Sequence, residues 1–258
     1  MNVEKIFDGE GGYVFVSHSH LDLQEVRTVR NFLEKSGMEP ILFYLRSMEN
    51  GGEERGRLLR QLIYEEIDAR EFFLYLESTN AQKSEWVQEE IRYVREKYPE
   101  KLVVVPLAQG ETEAKKQLQA LVKKMRVFIS HSGADFLLTQ RLKGALVKRD
   151  FRVYINEDNS PGTAWKNQMK KTVKDVSKEG SVIILLTRRS VQSVYVEMEL
   201  RYALKCEGRV VPILVGDVDL SGTRLEFLKD YTHFRLEEPE SDESLEKFVD
   251  QLTKELKK

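Results

Sequence analysis

The stretch RVFISHSGAD, Arg126–Asp135, decides how this chain is read. Arg126–Ser130 is β-branched and aromatic, and it breaks into a Ser-His-Ser turn. An Asp then stands where a helix would open. The same order occurs earlier as YVFVSHSHLD, Tyr13–Asp22. Val14-Phe15-Val16-Ser17-His18-Ser19 answers Val127-Phe128-Ile129-Ser130-His131-Ser132, and Asp22 answers Asp135 at the same offset. Further on, Ser84-Glu85-Trp86-Val87 resembles Ser193-Val194-Tyr195-Val196, and VVVPLA from Val103 pairs with VVPILV from Val210. Four landmarks recurring in one order over so long a period mean a duplicated domain rather than a solenoid.

Outward from these landmarks each copy alternates short apolar runs with amphipathic stretches. The predicted strands are YVFVS, PILFY, FFLYL and LVVVPLA in the first copy, and RVFIS, RVYIN, SVIILL and RVVPILV in the second. They are apolar on both faces, as in a parallel sheet covered by helices on each side. Asp22 with Glu25 predicts a capping box at the first helix, and Gly37 its stop. The β-α alternation predicts two doubly wound α/β domains in tandem, residues 1–124 and 125–258. No strand is expected after VVVPLA, so the first domain has a shortened C-terminal part. The second has a further candidate in THFRLE from Thr232 and a last helix from about Ser241 to Leu256.

The 258 residues suffice for two ordinary domains, and a net charge of -2 without a basic block gives no reason to expect nucleic acid. A single cysteine, Cys206, excludes an internal disulfide and fits a reducing compartment. The N-terminus lacks a signal-peptide pattern, and no apolar run approaches the ~20 residues that span a bilayer. A cytoplasmic protein without a membrane partner is therefore expected. The four histidines, His18, His20, His131 and His233, form no cluster at ligand spacing, so no metal is expected. Ser17 and His18 are adjacent on a strand and face opposite ways, which disfavours a nucleophile-base pair. Gly51-Gly52 is not followed by Lys-Ser/Thr and so is not a phosphate loop.

In a doubly wound sheet, ligands bind beyond the carboxyl ends of the strands, where strand order reverses. Ser17-His18-Ser19 and Ser130-His131-Ser132 stand at that rim, with His18-Ser19 and His131-Ser132 either lining a pocket or closing the turn. On the helix after the third strand, Val87, Ile91 and Val94 form a core stripe, as do Val196, Leu200 and Ala203. One position before these stripes lie Trp86 with Glu90, and Tyr195 with Glu199. The neighbouring Glu89 becomes Met198, so the carboxylate of this turn that recurs is Glu90/Glu199. A solvent-facing helix Glu is the simple alternative at this spacing.

VFISHSGAD, the loop Pro161-Gly162-Thr163-Ala164-Trp165 and the aromatic-Val-x-x-Glu helix resemble Toll/interleukin-1 receptor (TIR) domains of the bacterial type. VFVSHSHLD and TNAQKSEWVQEEI resemble the same family, so the resemblance covers nearly the whole chain in tandem. It implies a flavodoxin-like fold. It also implies one of two kinds of function: cleavage of NAD+ at the nicotinamide–ribose bond, giving nicotinamide and ADP-ribose or a cyclic isomer, or non-catalytic TIR–TIR scaffolding. A nucleotide-sensing pseudoenzyme is a third form. The family's catalytic Glu falls on Glu90 and Glu199. The resemblance further implies NAD+ as substrate with no cofactor, His18, Ser19, Trp86, His131, Ser132, Trp165 and Tyr195 as substrate-binding residues, and self-association with other TIR domains in signalling or antiviral defence. The loop after the second strand departs from the family, with Asn156 where an acidic residue is usual and a shorter run before Gly162.

Overall fold

The computed structural model describes residues 9–43, 52–156 and 163–258, without the side chains of 52–55, 163–166, 168, 169 and 179. It divides into two compact units. One runs Gly12–Val122, and the other contains Lys123–Lys258 together with the segment Gly9–Gly11.

The first unit runs β1 (Tyr13–Ser17), α1 (Leu23–Lys35), β2 (Glu39–Ile41), α2 (Gly52–Ala69), β3 (Phe73–Glu77), α3 (Thr79–Lys83), α4 (Glu85–Lys97) and β4 (Leu102–Pro106). The helix α5 (Glu111–Met125) then leads without a break into β5 (Arg126–Ser130). The second unit continues with α6 (Phe136–Val147), β6 (Arg152–Ile155), α7 (Thr163–Glu179), β7 (Ser181–Leu186), α8 (Val194–Lys205), β8 (Arg209–Val215), β9 (Phe234–Leu236) and α9 (Asp242–Leu256). Among the described residues the sheets have the orders β2-β1-β3-β4 and β6-β5-β7-β8-β9, parallel throughout. This is the flavodoxin-like order, whose switch point falls between the first and third strands of each sheet. Among the described residues the first sheet lacks a counterpart of β9, which is the shortening expected from sequence.

Strand burial explains the apolar runs. Val182–Leu186 of β7 are all 0% exposed, because helices cover both faces of a central strand. Each such side chain contributes about 1.5–3 kcal/mol by leaving water. In the first unit Phe15 stacks on Phe73 across β1 and β3 at 5.2 Å, over the stripe Val87, Ile91 and Val94. β2 is shorter than the expected PILFY strand: Leu42 and Phe43 leave the ladder, and Tyr44 lies outside the described residues.

Two local expectations resolve differently. Gly37 adopts φ 77° and closes α1, with its N–H on the Glu34 carbonyl and the Met38 N–H on the Leu33 carbonyl, a left-handed stop as predicted. The capping box does not form. Asp22 makes no side-chain cap, because its carboxylate accepts instead from Ser78 Oγ at 2.5 Å and Asn80 Nδ2 at 2.6 Å. Two hydroxyl and amide donors inside the protein outcompete an N-terminal N–H that water can solvate.

The segment before β1 belongs to the other sheet. Glu10 pairs antiparallel with Val153 through two backbone hydrogen bonds of 3.1 and 2.9 Å. The Glu10 carboxylate meets the buried Lys143 ammonium at 2.6 Å, and Arg152 Nη1 donates to the Gly11 carbonyl. The segment thus covers part of the edge strand β6. Gly11 is required here: its φ is 81°, and a Cβ would stand 2.3 Å from the Phe151 carbonyl oxygen.

Candidate functional site

Strand alternation places the first Ser of each Ser-His-Ser turn. Ser17 projects to the same side as Phe15, two residues back, toward the face that α4 covers. Ser130 does the same with Phe128, toward α8. On the helix side, Ser84 and Ser193 are N-caps, accepting the Val87 and Val196 N–H groups, and so set where the helical stripes begin. The two constraints bring hydroxyl and carboxyl together. Ser17 Oγ donates to Glu90 Oε2 at 2.5 Å, and Ser130 Oγ donates to Glu199 Oε2 at 2.5 Å.

Neither Glu is solvent-facing. Glu90 is 6% and Glu199 2% exposed, which overturns the simple surface reading of their spacing. Burial pushes both carboxyls up to about 7. The Ser17 hydrogen bond opposes that rise for Glu90, and the nearby Glu89 charge adds to it. For Glu199 both Ser130 and the Asn156 side chain hydrogen-bond the carboxyl and oppose it.

In the first unit this carboxyl opens onto a cleft of about 380 Å³, within the range of small-molecule sites. Ser17, His18, Ser19, Trp86 and Glu90 line it together with Phe15, Phe43, Leu59, Asn80 and Lys83. His18 is buried, with Nδ1 donating to the Val16 carbonyl, and burial holds its imidazole below the usual range. Ser19 Oγ accepts the Leu21 N–H, so it closes the turn as well as edging the cleft. The Trp86 ring carries the Arg60 guanidinium 4.6 Å from its centroid. Arg60 is fixed in turn by Glu89 at 3.0 Å, which also accepts from Tyr64 Oη.

The second unit repeats the rim with other details. His131 is buried and its imidazole is held below the usual range by that burial. Ser132 Oγ accepts the Ala134 N–H and starts a short 3-10 turn. Tyr195, at the Trp86 position, is 43% exposed. Asp135, the counterpart of Asp22, accepts from Thr187 Oγ1 at 2.8 Å, again joining the first-strand exit to the third-strand exit. The Trp165 side chain and the loops 44–51 and 157–162 lie outside the described residues. Among the described residues no group of three or more His, Cys, Asp or Glu is placed to hold a metal ion, and no helix is long and apolar enough to cross a membrane.

The TIR domain family matches this chain twice, over residues 14–124 and 127–253. The chain belongs to the TIR family. Its two units are TIR domains in tandem, each with its own buried Ser–Glu pair. No match is found among curated proteins. Among solved structures, the TIR domain of the Toll-related receptor TRR-2 from Hydra magnipapillata is similar over 51% of this chain and 98% of that one, at 17% identity and a TM-score of 0.39. A dinucleotide-forming acetyl-coenzyme A synthetase 1 from Ca. Korarchaeum cryptofilum, in complex with phosphate and ADP, aligns over 96% of this chain and 66% of its own, at 11% identity and a TM-score of 0.26.

Sequence reasoning placed Ser17 and Ser130 at the strand exits and marked Asn156 as a departure in the following loop, but it singled out neither these nor Phe43 or the Asp22 network as partners of the site. The signal for the two serines was present. Both recur, and both share a pleat face with a buried Phe, which aims them at the helix bearing the recurrent Glu. Nothing local marks Phe43.

Proposed function

We propose that this tandem TIR chain cleaves NAD+ at the nicotinamide–ribose bond. The observation that carries the reading is a buried carboxyl in each domain, held by a Ser at the carboxyl end of the first strand. In the first domain it opens onto a cleft with an aromatic wall. As the C–N bond breaks, its electron pair leaves with nicotinamide, which departs neutral and needs no general acid. Positive charge develops on the ribose ring. An ionised Glu beside it stabilises that charge, as in glycoside hydrolysis. Water adds at C1′ and loses a proton to give ADP-ribose, or a nitrogen of the adenine attacks to give a cyclic isomer. The serine hydroxyl stabilises the ionised carboxyl and fixes its rotamer.

The test is nicotinamide release from NAD+ at high protein concentration, with and without crowding agent. The Glu90→Gln, Glu199→Gln double variant should lose roughly 10²–10³ in rate. Release that survives the double change would sink the site assignment. The reading extends to a bacterial-type chain acting in the cytoplasm, in signalling or defence. The single cysteine fits the reducing compartment in this reading.

A second reading, a non-catalytic TIR–TIR scaffold, is favoured by one feature. Apolar side chains stand exposed near both rims, with Leu21 62% and Leu137 81% accessible. Absence of nicotinamide release in every assembly state would favour it.

A further inference from the structure

Strand register sets the two TIR domains against each other position by position. Phe15 pairs with Ile41 and Phe128 with Tyr154. Counted two residues on, just past the ends of β2 and β6, Phe43 therefore holds the position that Asn156 holds in the other domain. The consequence for the buried carboxyl is direct. The Asn156 side chain hydrogen-bonds Glu199, so that carboxyl has one polar partner from β5 and another from the exit of β6. Among the described residues Glu90 has Ser17 alone. Phe43 faces the cleft and lies 5.8 Å from the Phe15 ring, so it offers an apolar wall in place of a donor. A second difference has the same sign. Beside Glu90 on its own helix is Glu89, whose charge opposes ionisation, whereas beside Glu199 is Met198.

We propose that the two domains divide the work, the second cleaving the dinucleotide with Asn156 as the positioning residue for the Glu199 carboxylate, and the first holding the dinucleotide in its cleft without cleaving it. This rests on the reading of the chain as an NAD+-cleaving enzyme. Both carboxyls are pushed up to about 7, so the difference between the domains is one of aim: bond cleavage needs a carboxylate held toward the developing ribose cation, and two donors from different strands hold it there. The first domain keeps the features that bind: a cleft, the Trp86 indole, the polar turn His18-Ser19 and the Lys83 ammonium. The charged and titratable groups around Glu90 are Glu89 on α4, Arg60 and Tyr64 on α2, which pair with Glu89, and His18, His20, Lys83 and Glu85 at the cleft.

The experiment uses the full chain. Glu199→Gln alone should reproduce the loss of release seen in the double variant. Asn156→Leu should lower kcat about tenfold or more with KM within about twofold. It should also move the acid limb of the kcat profile to higher pH, because it removes a donor to the carboxylate. Adding Phe43→Asn to Glu199→Gln should raise release at least about tenfold over Glu199→Gln alone. Binding is read separately. The chain has two tryptophans, so in Glu199→Gln, Trp165→Phe the fluorescence comes from Trp86, and NAD+ should quench it saturably without nicotinamide appearing. Release that keeps half its rate in Glu199→Gln would overturn the division while leaving the NAD+ reading intact. An acid limb unmoved in Asn156→Leu would overturn the positioning role, and an unquenched Trp86 the binding role of the first cleft. No release from the wild-type chain would overturn the NAD+ reading itself and the division with it.

Discussion

At the scale of single residues, the two buried glutamates set how stability responds to pH. Each carboxyl has an ordinary value of 4.5 and is raised to about 7 by burial. Between those values the folded chain keeps a proton that the unfolded chain has lost. The contribution of each Glu to folded stability is therefore full below pH 4.5 and falls as pH rises to about 7, by on the order of 3 kcal/mol for each group. Urea unfolding at pH 5 and pH 8 should show this decline in the wild type and a flatter response in the Glu90→Gln, Glu199→Gln variant. An equally steep decline in the variant would assign it to other groups. The serines work the opposite way. Ser17→Ala or Ser130→Ala removes a donor to the carboxylate and should raise the pH at which that domain's Glu ionises, read as a shifted protonated-carboxyl band in infrared titration.

At the scale of elements, the joints between strand exits hold the rims in place. Asp22 takes hydrogen bonds from Ser78 and Asn80, and Ser78 Oγ also caps α3 by accepting the Ala81 N–H. Asp22→Ala strands two buried or half-buried donors and should cost about 1–3 kcal/mol, measured by chemical denaturation. A cost under half a kcal/mol would show that water replaces the carboxylate. The Gly9–Gly11 segment is a second joint. Gly11→Val puts a branched side chain at φ 81° against the Phe151 carbonyl, so it should release the segment from β6. Hydrogen exchange at the Val153 amide, which donates to Glu10, should then quicken, while the β7 amides stay protected. Unchanged exchange at Val153 would mean that the bridge survives.

At the scale of the whole molecule, the exposed apolar side chains near the rims are the place to test association. TIR pairing through them predicts that light scattering of the wild type shows mass growing with concentration, and that Leu137→Glu suppresses the growth. Leu137 is 81% exposed, so a charge there should leave the fold undisturbed. Growth unaffected by the substitution would place any assembly surface elsewhere.

The sequence alone determined the duplication, the parallel α/β class, the shortened first copy and the recurrence of one carboxylate per domain. All of these are carried by order along the chain and by spacings of two, three and four residues, which strands and helices convert directly into shared faces. Tertiary structure decided what those faces meet. Glu90 and Glu199 read as surface residues by spacing and proved buried, because their partners are serines from strands about seventy positions earlier, brought there by sheet order. Asp22 read as a helix cap and became the acceptor for Ser78 and Asn80, since the contest between an N-terminal N–H and two interior donors depends on which of them water can reach. In the first unit the Ser-His-Ser turn edges a cleft, and in both units the serine before the histidine makes the contact with the recurrent Glu. Strand register, which no local pattern records, gave Phe43 the position in its own domain that Asn156 has in the other, so the two domains carry different side chains there.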